Sequence, residues 1–221
     1  MTPVYDLHTH STLSDGDMLP IELVRRAAVL GYRTLAITDH VDSGNLSQVI
    51  AAQIPLKELA AAFGVTLLTG VEITHVPPSH IPLLAKRAKD EGADIVVVHG
   101  ETVVEPVAPG TNLAACTCNE VDLLAHPGLI TAEVAGEAAR RGIALEITSR
   151  AGHNRTNGHV VIEARLAGCT IVVDSDAHGP HDLLNGGARE AVARGAGLSA
   201  PEAAAALTLN IEKWLFHRGS I

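Results

Sequence analysis

Ile95-Val96-Val97-Val98-His99 sets four β-branched residues in a row and ends them on an imidazole. An uninterrupted apolar run has no polar face, so it predicts a strand buried on both sides, as in a parallel sheet covered by helices. The same pattern recurs along the chain in both directions. Strands are predicted over 4–8, 34–38, 66–72, 95–99, 121–126, 144–148 and 170–174, which makes seven. Ala-rich stretches with helical spacing separate most of them: 21–30 closed by Gly31, 46–63, 81–91, 130–141 and 158–167, with 183–194 and 201–216 at the end. Residues 111–120 are expected to form one or two helical turns.

Repeated β/α units close as a barrel or stay open as a doubly wound sheet. The residues at the strand ends decide between these: His8 and His10, Asp39 and His40, Glu72, His99, His126, Glu146, then Asp176 and His178. An open sheet builds its site at one switch point, whereas a barrel brings the C-terminal ends of all its strands around one mouth. The expected fold is therefore α/β, a distorted seven-stranded (β/α)7 TIM-like barrel, with residues 1–221 as one domain. No Gly-rich nucleotide fingerprint, no Gly-x-Ser-x-Gly elbow and no low-complexity linker interrupts the pattern.

Composition narrows the function. The chain has 221 residues, 47% hydrophobic but only 2% aromatic, and a formal net charge of −9, while His alone numbers 12. At that length a core of Val, Leu, Ile and Ala can be buried, which excludes disorder and a disulfide scaffold. Its 16 Lys and Arg are scattered among 25 acids. That pattern offers neither the cationic footprint nor the stacking platforms of a long nucleic-acid binder, and favours a small substrate. No apolar run approaches the roughly 20 residues that cross a bilayer. No charged-then-apolar leader precedes Pro3, and Cys116, Cys118 and Cys169 are odd in number, so the cytoplasm is the expected compartment. Cys116-Thr-Cys118 is not Cys-x-x-Cys and has no second couple, so the cysteines read as small hydrophobes.

Asp6-Leu7-His8-Thr9-His10 sets two imidazoles two residues apart, on one face of an extended strand, where both can grip one ion. A single strand-end histidine is ordinarily a satisfied polar residue; their joint occurrence at strand after strand overturns that reading. Nitrogen and oxygen donors without thiolate suit Zn, Mn or Fe(II). Ser14-Asp15-Gly16 follows on a loop, where Asp15 reads either as a turn residue or as a further oxygen donor.

Asp6-Leu-His8-Thr-His10-Ser11, Ile37-Thr-Asp39-His40, Gly70-Val-Glu72, His99, Ala125-His126-Pro127 and Ser175-Asp176-Ala-His178 together resemble the polymerase and histidinol phosphatase (PHP) family. The resemblance runs from residue 4 to about 180. It implies a distorted seven-stranded barrel with up to three divalent ions at its mouth, hydrolysing phosphoesters through a metal-bridging hydroxide. It also implies that His8, His10, Glu72 and Asp176 hold one ion and that Glu72 bridges to a second held by His99 and His126. Asp15, His40 and His178 would hold the third. Asp6 and Asp39 stand beside these ligands and are expected to orient imidazoles.

Glu146 matches no ligand and is expected to support the ligands or to meet a cationic part of the substrate. The polar loop 148–158 carries Arg150 and Arg155, one of which is expected to clamp the phosphate by a two-pronged hydrogen bond. His75 and His80 extend toward the mouth, whereas His153, His159, His181 and His217 read as surface or capping residues. The first functional reading is hydrolysis of a small phosphomonoester, as in histidinol-phosphate phosphatase. A nucleotide or short oligonucleotide is the alternative substrate, and a catalytically silent, metal-stabilised interaction module is the competing class.

Overall fold

A computed structural model of the protein describes residues 4–220; the stretch before Val4 that bears on a leader, and the ends of the expected domain, lie outside them. Eight strands form one parallel sheet: β1 (Val4–Asp6), β2 (Tyr32–Ile37), β3 (His40–Val41), β4 (Thr66–Ile73), β5 (Ile95–His99), β6 (Leu123–Ala125), β7 (Ala144–Thr148) and β8 (Ile171–Asp174). Their order is β1-β2-β4-β5-β6-β7-β8. Strand β3 continues β2 beyond Thr38 and Asp39 and pairs with the upper end of β4, His40 opposite Glu72. The sheet thus has seven positions and nearly closes into the expected barrel.

Among the described residues, closure between β1 and β8 uses no regular ladder. A parallel bridge joins Thr9 to Ala177, and the His10 N–H donates to the Ala177 carbonyl at 2.8 Å. Below it, side chains take over. Asp174 Oδ1 accepts the Leu7 N–H at 2.8 Å, and Asp6 Oδ1 accepts the Ser175 N–H at 3.2 Å. The fully buried Arg189 lies over the Tyr5 ring, 4.3 Å from its centroid, and bonds the Val173 carbonyl. Burial raises both the Asp6 and Asp174 carboxyls, with the Arg189 guanidinium opposing. Asp6 also accepts the His8 N–H at 3.2 Å. The expectation that Asp6 orients an imidazole is therefore corrected: its carboxylate holds backbone on both sides of the seam.

Strand alternation divides the core. Tyr5, Leu7, Leu68, Ile95, Val97, Leu123 and Val172 pack together inside the barrel, while Val96, Val98, Leu124, Leu145 and Val173 pack under the surrounding helices. The last helix, α10 (Ile211–Arg218), adds Ile211 and Leu215 to the inner cluster and so plugs one end of the barrel. The other end is left to polar side chains.

The outer helices are α1 (Pro20–Val29), α2 (Leu46–Gln53), α3 (Leu56–Ala62), α4 (Ile81–Asp90), α5 (Thr111–Cys116), α6 (Ala132–Arg141), α7 (Asn157–Ala167), α8 (Gly186–Gly195) and α9 (Ala200–Leu207). Two expected helices are each two. The 46–63 stretch breaks before Pro55, whose ring cannot continue a hydrogen-bonded turn. The 201–216 stretch breaks at Asn210, which caps α10 by accepting the Lys213 N–H at 2.8 Å. All three cysteines are free, and burial pushes their thiols up, Cys116 to about 12 and Cys118 and Cys169 to about 11. No helix among the described residues is long and apolar enough to cross a membrane.

Candidate metal centre

The polar mouth gathers His8 and His10 from beyond β1, His40 from β3, Glu72 from β4, His99 from β5, His126 just after β6, and Asp176 and His178 beyond β8. Asp15 comes from the loop after His10. Asp15, His40, His99, His126, Asp176 and His178 line one small cavity together with Glu105, Arg150 and His153, and the fully buried His8, His10 and Glu72 cluster against Asp176 and His126 without lining it. His8, His10, Glu72, His99, His126 and Asp176 are buried, His40 and His178 are partly open, and Asp15 is exposed. Gly16 lets the Asp15 loop lie flat on its neighbours, since a Cβ there would stand 2.5 Å from the His10 carbonyl oxygen.

Four imidazoles have one nitrogen committed. His99 Nδ1–H donates to the Gly100 carbonyl at 3.1 Å and His178 Nδ1–H to the Asp176 carbonyl at 3.0 Å. His8 Nδ1 lies 2.7 Å from Glu146 Oε1, and His40 Nδ1 2.7 Å from Thr74 Oγ1, whose own proton goes to the Glu72 carbonyl. Each ring therefore turns its Nε2 inward, where, against burial, neighbouring carboxylates favour the protonated form until a cation takes the proton's place.

Those inward atoms face carboxylate oxygens without making hydrogen bonds. His8 Nε2 is 3.3 Å from Glu72 Oε1, and His10 Nε2 is 3.2 Å from Asp176 Oδ1 and 3.6 Å from Glu72 Oε2. His126 Nε2 is 3.6 Å from Glu72 Oε1, and His178 Nε2 is 3.3 Å from Asp15 Oδ2. Buried and without a hydrogen-bond partner are His8 Nε2, both nitrogens of His10, both oxygens of Glu72 and His99 Nε2. Orphaned buried polar atoms are costly, so a cluster of them points to a missing partner. The spacing fits a cation: donors about 2.1 Å from one ion stand about 3.4 Å apart at the corners of a tetrahedron.

The electrostatics agree. Burial raises the Glu72 carboxyl, but His8 and His40 outweigh it and hold the group well below the usual carboxylate range. Asp176 is likewise held down, burial opposed by His8 and His10, and His178 and its neighbours hold Asp15 down. Burial lowers His10, His126 and His153 toward the neutral imidazole that ligates a metal.

His126 and Asp176 sit at φ 28° and 52°, left-handed conformations rare outside glycine. Each costs of the order of 1–3 kcal/mol and persists because its surroundings hold it. Glu146 Oε2 holds His126 by accepting its N–H at 2.8 Å. Glu146 thus braces two imidazole-bearing residues at once, the supporting role among its expected alternatives.

Several expectations change. Asp39 accepts the Ser11 N–H, the Ser11 hydroxyl and the Ser14 hydroxyl, each at 2.7 Å, and so fixes the loop leading to Asp15 rather than any imidazole. Arg150 lines the mouth, whereas Arg155 is exposed outside it. Asp182, absent from the sequence reading, accepts the His178 N–H at 3.0 Å and lies 3.4 Å from Arg150 Nη1. His153 is buried against His99 and His126 and is no surface residue. Glu105, also missed, lies 3.2 Å from His75 and 3.6 Å from His99, and the His99 ring above all pulls its carboxyl down to about 2. His159 is partly buried and its Nε2 donates to the Ile130 carbonyl at 2.7 Å, and His80, His181 and His217 are exposed.

Comparison with known proteins agrees with this architecture. A family model described as RNase P subunit p30 matches residues 3–220. An uncharacterized protein of Methanocaldococcus jannaschii is 48% identical over 200 residues, 90% of this chain and 92% of that one. A 5'-3' exoribonuclease of Haemophilus influenzae is 46% identical over 74 residues, 34% of this chain, and the match spans only 24% of that enzyme. Among solved structures, the histidinol phosphate phosphatase of Lactococcus lactis, complexed with zinc, L-histidinol and phosphate, superimposes with a TM-score of 0.61. At 16% identity, over 89% of this chain and 94% of that one, the likeness is one of fold.

Proposed function

We propose that this chain, which belongs to the RNase P subunit p30 family, a PHP-like barrel family, is a metal-dependent phosphoesterase acting on small phosphomonoesters. Residues 1–221 work as one domain, in the cytoplasm. His8, His10, Glu72 and Asp176 hold one divalent ion; Glu72 reaches a second with His99 and His126; Asp15, His40 and His178 hold a third. Their nitrogen and oxygen donors suit Zn, Mn or Fe(II). When bound, such ions polarise phosphoryl oxygens and bring the pKa of a water toward neutrality.

The protein supplies the rest. Arg150, partly open and aimed at the mouth, grips two phosphoryl oxygens with its planar fork while Asp182 steadies it. No side chain of the mouth need act as nucleophile. The ester's alcohol extends into the adjoining groove of about 460 Å³, lined by Ser14, Asp15, Asp42, Asn45, His75 and Glu105.

The observation that carries the substrate class is the charge of this surface. Among the described residues, Arg150 is the one Lys or Arg lining the mouth, and the groove has Asp15, Asp42 and Glu105 but no Lys or Arg. The ions and Arg150 accommodate one phosphate, while Asp42 and Glu105 in the groove beyond them disfavour further phosphates and the backbone of a long nucleic acid. A short oligonucleotide is the second reading, favoured by the local match to the exoribonuclease.

The experiment is a phosphatase screen across phosphorylated metabolites, histidinol phosphate included, with nucleotides and short oligonucleotides alongside and metal analysis of the same preparation. Turnover of monoesters with uncharged or cationic alcohols is expected. Preference for oligonucleotides would replace the first reading by the second, and a metal-loaded chain inert to every substrate would identify a silent interaction module.

A further inference from the structure

The metal assignments leave one buried imidazole of the mouth without a task. His153 stands at the start of a 3-10 turn (His153–Thr156) in the loop after β7. Its ring centroid is 4.3 Å from that of His126 and 5.9 Å from that of His99. Each of these three histidines offers one ring nitrogen within 4.8 Å of the other two.

The bland role for a buried histidine is a satisfied polar residue, and the geometry does not provide one. His153 Nδ1 is buried and unpartnered, and its Nε2 reaches only Glu105 Oε2, at 3.8 Å. His99 Nε2 lies 3.6 Å from the same oxygen. An imidazole ending β5 and one from the loop after β7 therefore converge on one point beside His126, each with hydrogen-bonding capacity unspent. Leaving a buried polar group unpaired is unfavourable, and three such groups face to face are explained by a shared cation.

We infer that His153 is a further ligand of the second ion, joining Glu72, His99 and His126 to give that site three imidazoles and a carboxylate. This rests on the metal-centre reading above and adds to it a donor from the loop that also bears Arg150. A nitrogen-rich set selects a borderline transition ion such as Zn(II), Fe(II) or Co(II) over Mg(II) or Ca(II). It also ties two functions together. The Asn154 N–H donates to the Arg150 carbonyl at 3.0 Å, closing the turn between clamp and ligand, and Gly152 at φ 91° gives the turn its direction against Val104. Filling the second site fixes the loop, and with it the guanidinium.

The test is metal binding by the full chain, independent of turnover. Wild type, His153→Ala, His153→Gln and the exposed same-loop control Asn154→Ala are stripped, reloaded with Co(II) or Zn(II), dialysed and assayed for metal per chain. Co(II) absorption and chelator competition follow, with circular dichroism to verify folding. Both His153 variants are expected to lose one ion, or to bind it more weakly by at least the roughly 10- to 100-fold that losing a hydrogen-bond partner of a ligand costs, with altered Co(II) bands. Asn154→Ala should match wild type.

Unchanged stoichiometry, affinity and Co(II) spectrum in folded His153→Gln would overturn the inference while leaving the phosphoesterase reading intact. Metal loss in the His153 variants, in a chain that hydrolyses no phosphoester, would uphold it and sink that reading. A wild type that binds no transition metal overturns both.

Discussion

Glu146 is the sharpest place to probe how the mouth is built, because one carboxylate serves two donors that are far apart in sequence. Oε1 stands 2.7 Å from His8 Nδ1 and Oε2 accepts the His126 N–H at 2.8 Å, with the whole group buried. Glu146→Gln preserves shape and volume but replaces one acceptor by an NH2. Whichever way the amide turns, one donor then faces another donor. Turned toward His8, the amide favours the other tautomer, withdrawing the Nε2 lone pair from the ion. Turned toward His126, it leaves unpaired the N–H that holds a residue at φ 28°.

A buried donor left without an acceptor costs about 1–3 kcal/mol, which is roughly 5- to 150-fold in an equilibrium constant. The expected outcome is metal binding weakened within that range in a chain whose circular dichroism is unchanged. Titration against a chromophoric chelator measures it, and Glu146→Asp, which keeps both acceptors but shortens the arm, should recover part of the affinity. Wild-type affinity in folded Glu146→Gln would refute the bracing role, and would mean that His8 and His126 are positioned by their own strands.

Three further outcomes are expected. Glu72→Ala should lower bound metal and activity more than His178→Ala, because the proposed scheme gives Glu72 to two ions and His178 to one; metal analysis with kcat/KM compares them, and equal metal content in wild type and Glu72→Ala contradicts the assignment. Arg150→Lys should cost about 10- to 100-fold in kcat/KM on the best monoester while Arg155→Lys stays near wild type; the opposite ranking moves the clamp outside the mouth. For pH, Glu72 outweighs burial and raises His40 from 6.5 to about 9. In the metal-free chain its proton therefore stabilises the fold fully below about 6.5, and that contribution is lost as pH rises through about 9. Metal affinity at that site should climb over the same interval, because the proton must leave. Denaturation of metal-free wild type and His40→Gln across this range checks the sign, and identical pH slopes would refute it.

The barrel was legible because its strands are short apolar runs that stop on a charged or imidazole side chain, a signal carried by adjacent residues. Strand bounds at 95–99 and 144–148 coincide with the structure, and the side chains at the strand ends gather at one end of the barrel. Breaks inside helical stretches were less legible: Pro55 was visible, but Asn210 acts through a cap that propensity alone does not weigh. The tasks of Asp6 and Asp39, and the choice between the two readings of Glu146, were hidden for a different reason. Each is set by a partner in a distant segment, such as Glu146 with His8 across 138 positions, and no local pattern records it. For His153, the available signal was a glycine turn at Gly152 directly before an imidazole, in a loop already known to follow a strand of the barrel.

The seam between β1 and β8 carries a last consequence. The first strand leaves the ribosome long before the last: His8 must wait for Asp176, across 168 positions of chain, before the two can stand 3.7 Å apart. An ion held as proposed by His8, His10 and Asp176 would close the ring without covalent chemistry, where among the described residues one backbone bridge and a few side chains otherwise do so. Such a closure rewards only the finished fold, since no fragment short of β8 holds the donors of the first site. Metal should then slow the opening of the seam far more than the opening of any other pair of neighbouring strands. Amide protons of residues 5–10 and 173–178 would exchange with solvent faster on chelation, and the β5–β6 interior would barely respond.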